Sequence, residues 1–406
     1  MEQLTRFNHI ELIPNISNKR ILFCSSFTPP VNAGGGKNAF NFAKFLSEKG
    51  LQVTLLTLNR RGKLPRMELA GSLKIIRILY FNYNLFTKLL SLLIILPGYF
   101  IYVLRNDIIF IYGGNIIAFE FIILAGKLMG RHVVFRSTML GEDDMVTLIR
   151  KWYGLKGLRK AVLRLISTYI SLNQEFTKSF LRIFNGVNKV IESPQGVNTK
   201  IFHPVSKETK LILREKLGLP KDCFIIITVG YLLNRKGFAE IFENLNRMKI
   251  PYLYVVTGDF EVGKSHYLYH LTDQMKHLYN HGYHTLRKKI LFTGPRENVD
   301  EYLQASDIFL LNSKREGVPN ALLETMACGT VPVIKSIRGI DKYITLNRKN
   351  ALIFNHPGEM EELILEAHEN RSLINQLSRN ASNEMANHLS FEVIYKRIFM
   401  NTFTEA

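Results

Sequence analysis

The sequence predicts an α/β protein of two Rossmann-like, doubly wound domains facing each other across a cleft. Three observations lead there. The chain has 406 residues, too many for one hydrophobic core and suited to about two domains of ~200 residues. Short apolar, β-branched runs alternate with longer helical patterns, as strand–helix–strand units require. A glycine-bearing strand end lies early in each half, FTPPVNAGGGKN at 27–38 and VGYLLNRKG at 229–237.

The candidate strands follow in order. They are RILFCSSF (20–27), LQVTLLTL (51–58), LKIIRILY (73–80), DIIFIYG (107–113), HVVFRST (132–138) and KVIESP (189–194) in the first half. CFIIITVG (223–230), YLYVVTG (252–258), ILFTG (290–294), DIFLLNS (307–313) and TVPVI (330–334) follow in the second. Several are apolar without alternation, the pattern of parallel strands covered on both faces. Helical segments lie between them, such as NAFNFAKFLSEKG at 38–50, where Gly50 marks a C-terminal cap. The polar stretch PQGVNTKIFHPVS (194–206) divides the chain into a first domain, 1–197, and a second, 198–387, with a last helical segment over 388–406.

Charge is unevenly spread. Residues 1–200 hold 27 Lys and Arg against 11 Asp and Glu, a net +16, leaving +3 of the total +19 for the remainder. A basic half suits an anionic partner such as phospholipid, a lipid diphosphate or nucleic acid. Nucleic acid is disfavoured, because no recognition motif occurs and no patch interleaves the basic residues with aromatics. Cys24, Cys223 and Cys328 are scattered and form no CxxC, so they read as buried thiols in a reducing cytosol. The first twenty residues lack the apolar core of a secretory signal. The run LLSLLIILPGYFIYVL (89–104) covers only ~24 Å as a helix, short of a ~30 Å hydrocarbon core. Pro97-Gly98 also interrupts it. The expectation is a buried helix packed on a sheet, with a helix partly in a membrane interface as the alternative.

The stretch REGVPNALLETMACGTVPVI (315–334) carries the most chemistry. Glu316 falls in the loop after the strand DIFLLNS, at the end where open α/β sheets bind ligands. Pro319 suits the first turn of the following helix. The amides of Gly317, Val318, Pro319's neighbours and Asn320 crowd that helix's N-terminus, an anion site for a phosphate or diphosphate. Glu324, further along the helix, can reach a ribose diol, and Glu316 a sugar hydroxyl. Arg235 and Lys236, in the loop that begins at Gly230, add two cations able to stabilise a departing nucleotide diphosphate. The geometry therefore suggests a nucleotide-diphosphate ligand with a sugar at its far end. Alone, each piece also fits a solvated turn or a capped helix.

The first half holds weaker signals. Gly34, Gly35 and Gly36 lie in a loop after the first strand, but the second strand ends TLLTLNRR with no acid to hold a ribose, which argues against a dinucleotide-binding site. The carboxylates of GEDD (141–144) lack DxD spacing and read as loop residues beside the cleft or on a solvated face. The five histidines of HYLYHLTDQMKHLYNHGYH (266–284) read as a solvated helical insertion and not as metal ligands.

These motifs together resemble retaining glycosyltransferases of the GT-B fold, in the large nucleotide-sugar family numbered four. Glu316 and Glu324 within EGVPNALLETMACG match the family's E-x7-E element. PQGVNTKIFHP, VGYLLNRKG, TGD (257–259) and ILFTGPRENVDEYLQASDIFLLNS (290–313) match in order, and the resemblance is strongest over 190–355. It implies that Arg235 and Lys236 bind the donor diphosphate, Glu324 the ribose, and Glu316 the transferred sugar near its anomeric carbon. It implies a glycine loop at 34–36 close to donor and acceptor, no metal or other cofactor, and a last helix returning to the first domain. Tyr231 stands where many relatives have Arg, and Ser137 and Thr138 where many have His, so Thr138 is the replacement hydrogen-bonding candidate. The expected acceptor is a saccharide or polyprenyl-diphosphate-linked saccharide used in cell-envelope polysaccharide synthesis. The expected place is cytoplasmic and peripheral on the inner face of the plasma membrane, with weak, salt-sensitive attachment to anionic lipid. A GT-B sugar-nucleotide epimerase and an inactive transferase-like binding subunit are the competing readings.

Overall fold

The computed structural model describes residues 14–29, 34–60, 64–81, 84–114, 116–151, 155–184, 189–263, 266, 268–341 and 344–403. The chain divides into two compact units. One is Met1–Gly196 with Phe391–Ala406, the other Val197–Ser390.

Unit 1 is built on an eight-stranded sheet. Its strands are β1 (Arg20–Ser25), β2 (Gln52–Arg60), β3 (Met67–Ala70), β4 (Leu73–Tyr80), β5 (Ile108–Tyr112), β6 (His132–Arg136), β7 (Thr168–Ser171) and β8 (Lys189–Glu192), in the spatial order β3-β4-β2-β1-β5-β6-β7-β8. Every pairing is parallel except β3 with β4. β1 and β5 are buried on both faces, as their unbroken apolar runs demand. On one face Phe23 stacks on Phe110 at 4.8 Å, and Phe391 of the last helix, Phe391–Phe403, packs 5.5 Å from both Phe42 and Phe45. Burying each ring contributes roughly 1.5–3 kcal/mol, which is why that last helix belongs to unit 1.

Unit 2 is a six-stranded, wholly parallel sheet. It comprises β9 (Phe224–Val229), β10 (Tyr252–Thr257), β11 (Ile290–Gly294), β12 (Ile308–Leu311), β13 (Val331–Lys335) and β14 (Leu352–Phe354), ordered β11-β10-β9-β12-β13-β14. Chain order therefore reverses between β9 and β12, the switch point at which open α/β sheets bind ligands.

Several local expectations change. β3, β7 and β14, absent from the sequence reading, are strands of three or four residues. The apolar segment 89–104 is part of a longer helix, Leu85–Leu104, that runs straight through Pro97. Pro97 faces solvent, so the carbonyl its ring displaces can turn to water. That helix is not a buried core helix, since one whole face is exposed. The histidine-rich segment is only partly solvated: His270, His277 and His284 are exposed, but the helix Thr272–Leu286 buries Met275, Leu278 and Leu286, and Tyr279 packs 4.4 Å from Phe260. Cys24 and Cys328 are buried, but Cys223 is only half-buried.

Candidate active site

In unit 2 the reversal point gathers the charged residues. β9 ends at Val229 and runs through Gly230, whose Cα faces the Lys236 side chain; a Cβ there would lie 3.7 Å from Lys236 Cε. The loop then tightens into a 3-10 turn, Asn234–Lys236, closed by Gly237 at φ 70°. Only glycine fits that position, because a Cβ would come within 2.4 Å of the Asn312 carbonyl oxygen. Asn312 Nδ2 donates to the Gly237 carbonyl at 3.2 Å, and the Lys314 amide donates to the Arg235 carbonyl at 2.8 Å. These bonds clamp the loop after β9 to the loop after β12.

The clamp puts both cations on one carboxylate. Lys236 Nζ lies 2.6 Å and Arg235 Nη1 3.0 Å from Glu316 Oε1. Glu316 is 8% exposed, and the side chain of Lys236 11%. Burial pushes the Glu316 carboxyl up, but Lys236 and Arg235 outweigh it and hold the group below the usual carboxylate range. The site is therefore a compact charged triad with two positive members and one negative. An incoming diphosphate could take over the cations' attention from Glu316.

Beyond Glu316 the chain enters the helix Asn320–Ala327. Gly317, Val318 and Pro319 are buried and Asn320 half-buried. Pro319 occupies the N-cap with extended backbone, φ −66° and ψ 123°, one place before the first-turn position expected of it. The Leu322 and Leu323 amides both reach its carbonyl. Gly317 to Asn320 thus sit at the positive end of the helix dipole. Glu324, in the second turn, is 6% exposed. Neither glutamate is a surface residue. The nearby Cys328 thiol is pushed well up by burial and by the charges of Glu324 and Asp300.

Unit 1 has its own reversal point, between β1 and β5. Gly34, Gly35 and Gly36 are not loop residues there but the first turn of the helix Gly34–Glu48. The turn packs tightly: a Cβ on Gly36 would lie 2.2 Å from the Phe27 carbonyl oxygen, and one on Gly35 3.5 Å from Thr138. Thr138, read as a possible sugar contact, is taken up by its own chain. Its amide donates to Asp143 at 2.8 Å and its hydroxyl at 2.7 Å. Asp143 also accepts from the Met139 amide at 2.7 Å and the Gly114 amide at 3.2 Å. Asp144 caps the helix Met145–Arg150 through Thr147 and accepts from Ser179. Asp143 and Asp144 are 0% and 5% exposed, so that part of GEDD is no solvated face. A turn rich in backbone donors attracts a buried carboxylate, and only the close packing of Gly113, Gly114 and Thr138 could have signalled it.

Two doubly wound units, one with paired cations at its strand-order reversal, are an arrangement with the charge to receive a phosphorylated ligand. Comparison with known proteins makes this specific. Residues 209–384, most of the second unit, match the family model for glycosyl transferases group 1. It is 28% identical over 262 residues to the UDP-Gal:alpha-D-GlcNAc-diphosphoundecaprenol alpha-1,3-galactosyltransferase of Escherichia coli, covering 63% of this chain and 60% of that protein. It is 30% identical over 204 residues to the alpha-galactosylglucosyldiacylglycerol synthase of Streptococcus pneumoniae, covering 48% of this chain and 50% of the synthase. The chain thus spans about half to three-fifths of the length of these curated relatives. Among solved structures it resembles HepE of Anabaena in complex with UDP and glucose, with a TM-score of 0.71, 17% identity and coverage of 96% of this chain and 100% of that one. Sucrose-phosphate synthase of Thermosynechococcus elongatus gives a TM-score of 0.73 at 16% identity, covering 96% and 100%. The fold is that of the GT-B glycosyltransferases.

Proposed function

We propose that the protein is a retaining hexosyltransferase of family-four type. It moves a sugar from a nucleotide-diphosphate donor to a saccharide or polyprenyl-diphosphate-linked saccharide, in cell-envelope polysaccharide synthesis. The observation that carries this reading is the convergence of Arg235 and Lys236 on buried Glu316 at the β9/β12 reversal. The relatives' names, one acting on a diphosphoundecaprenol-linked sugar and one a glycolipid synthase, support a lipid-linked acceptor at the cytoplasmic membrane surface.

In this reading the donor diphosphate lies against Arg235, Lys236 and the helix entry at Gly317–Asn320, near Gly230. Glu324 holds the ribose. Glu316, relieved of its cations, meets the transferred hexose. Departure of the nucleotide leaves negative charge on the diphosphate that Arg235 and Lys236, turned from Glu316, stabilise, the arrangement that lowers the barrier for a phosphate leaving group. The acceptor hydroxyl attacks the anomeric carbon from the face the nucleotide leaves, and the leaving phosphate takes its proton. No metal or other cofactor is needed. The basic first unit takes the acceptor.

Ligand-observed NMR against UDP-, GDP- and ADP-sugars without metal, on wild type and Glu324→Ala, tests this. Binding of one nucleotide sugar to the wild type only is expected. Absence of any binding would overturn the donor site, and binding without transfer would define an inactive binding subunit.

A further inference from the structure

The helix Leu85–Leu104 is apolar on every side, yet only one stripe of it is covered. It carries a single charge, Lys88. Ile95, Tyr99 and Val103, four apart, are buried with Ser91 against β4 and the helix Phe119–Leu128. The opposite face presents Phe86, Leu89, Leu90, Leu93, Ile94 and Phe100, which are 40% to 72% exposed. A helix hydrophobic all round belongs in a core or a bilayer, and this one is half in a core.

Its twenty residues would reach ~30 Å, about the thickness of a hydrocarbon layer. Crossing a membrane is nevertheless closed to it. Insertion would strip Ile95, Tyr99 and Val103 from the sheet, and Gly98 packs so closely that a Cβ would lie 2.8 Å from Ile78 Cδ1. The helix can offer its outer face only by lying flat.

Charge decides what covers that face. Lys88 stands in its first turn and Arg105 at its C-cap. Lys127 is in the last turn of the neighbouring helix. A groove of about 680 Å³ beside its C-terminal end is lined by Arg20, Lys74 and Arg105, with no carboxylate among its described lining residues. Arg20 also pairs with Asp107 just outside that lining. A second copy of the chain would set these cations against their own kind. An anionic bilayer accommodates both features, since acyl chains take the apolar face and lipid phosphates take the cations.

We propose that the helix Leu85–Leu104 is a membrane-docking element lying in the headgroup–acyl boundary of an anionic bilayer, with Phe86, Leu89, Leu93 and Phe100 toward the acyl chains and Lys88 and Arg105 on lipid phosphates. This needs neither donor nor acceptor and so stands apart from the transferase reading. The test is co-sedimentation of the full chain with phosphatidylcholine vesicles, with and without phosphatidylglycerol. Wild type is expected to pellet with the phosphatidylglycerol vesicles. Leu89→Asp with Leu93→Asp should lower partitioning at least ~10-fold, while the melting temperature and nucleotide-sugar binding stay as in wild type. Lys88→Glu with Arg105→Glu should remove the preference for phosphatidylglycerol. Equal pelleting of wild type and the Leu89→Asp, Leu93→Asp variant would overturn the proposal. So would a wild type that ignores vesicles but forms a dimer abolished by the same substitutions. Vesicle binding without any nucleotide-sugar binding would leave docking intact and sink the donor site instead.

Discussion

Each unit buries a carboxylate in the loop after a parallel strand, Glu316 after β12 and Asp143 after β6, and the two are held in opposite ways. In unit 2 Glu316 is held by two side-chain cations, Arg235 and Lys236, on a loop clamped by Asn312. In unit 1 Asp143 is held by three backbone amides and one threonine hydroxyl. Amides fixed in a turn cannot be lent to a ligand without unfolding the turn. A lysine and an arginine on flexible stems can swing from a carboxylate to a phosphate at little cost. The difference teaches that burial alone does not make a carboxylate's surroundings available to a ligand; partners that can be exchanged do.

The comparison can be broken most sharply at the triad. Lys236→Ala should lose donor affinity and at least ~10²-fold in transfer rate, the usual loss for one fixed donor at a developing charge. Glu316→Ala should abolish nearly all turnover. A steady-state assay with the donor found by NMR checks both, and near-normal transfer by Lys236→Ala would contradict the assignment. A smaller effect belongs to Asp143. Asp143→Ala strands several buried amides and should destabilise the fold by roughly 1–3 kcal/mol. Thermal melting reads that loss, and nucleotide-sugar binding should be untouched. If binding fell with it, the contrast between the two carboxylates would fail.

The finest test is pH. The folded-state pKa of Glu316 lies below its unfolded value, so its contribution to stability is present above the unfolded value and disappears as pH falls through the folded one. Part of the acid-side loss of melting temperature should therefore vanish in Glu316→Gln. An identical acid limb in the variant and wild type would mean that the cations do not hold Glu316 ionised.

Much of this architecture is legible in the residues. The unbroken apolar runs of β1, β5, β9 and β12 announce parallel strands buried on both faces, and the loops of interest lie directly after them. The strands that escape are those too short for any period, such as TYIS at β7 and LIF at β14. The meeting of Arg235 and Lys236 with Glu316 is not legible, because it depends on β9 and β12 being neighbours though about 80 residues apart. The exposed face of Leu85–Leu104 is equally hidden. Composition gives an apolar helix, but only the sheet shows that a single stripe finds cover. Pro97 misleads because a proline on the solvent side removes a bond that water can replace.

The last helix has a consequence for biosynthesis. Because Phe391 completes the packing around Phe42 and Phe45, unit 2 is in effect inserted into unit 1. A nascent chain can close the second sheet as soon as Ser390 has left the ribosome, but the first must wait, with two aromatic rings uncovered, for a segment made some 350 residues later. The half of the molecule synthesised first is the half finished last.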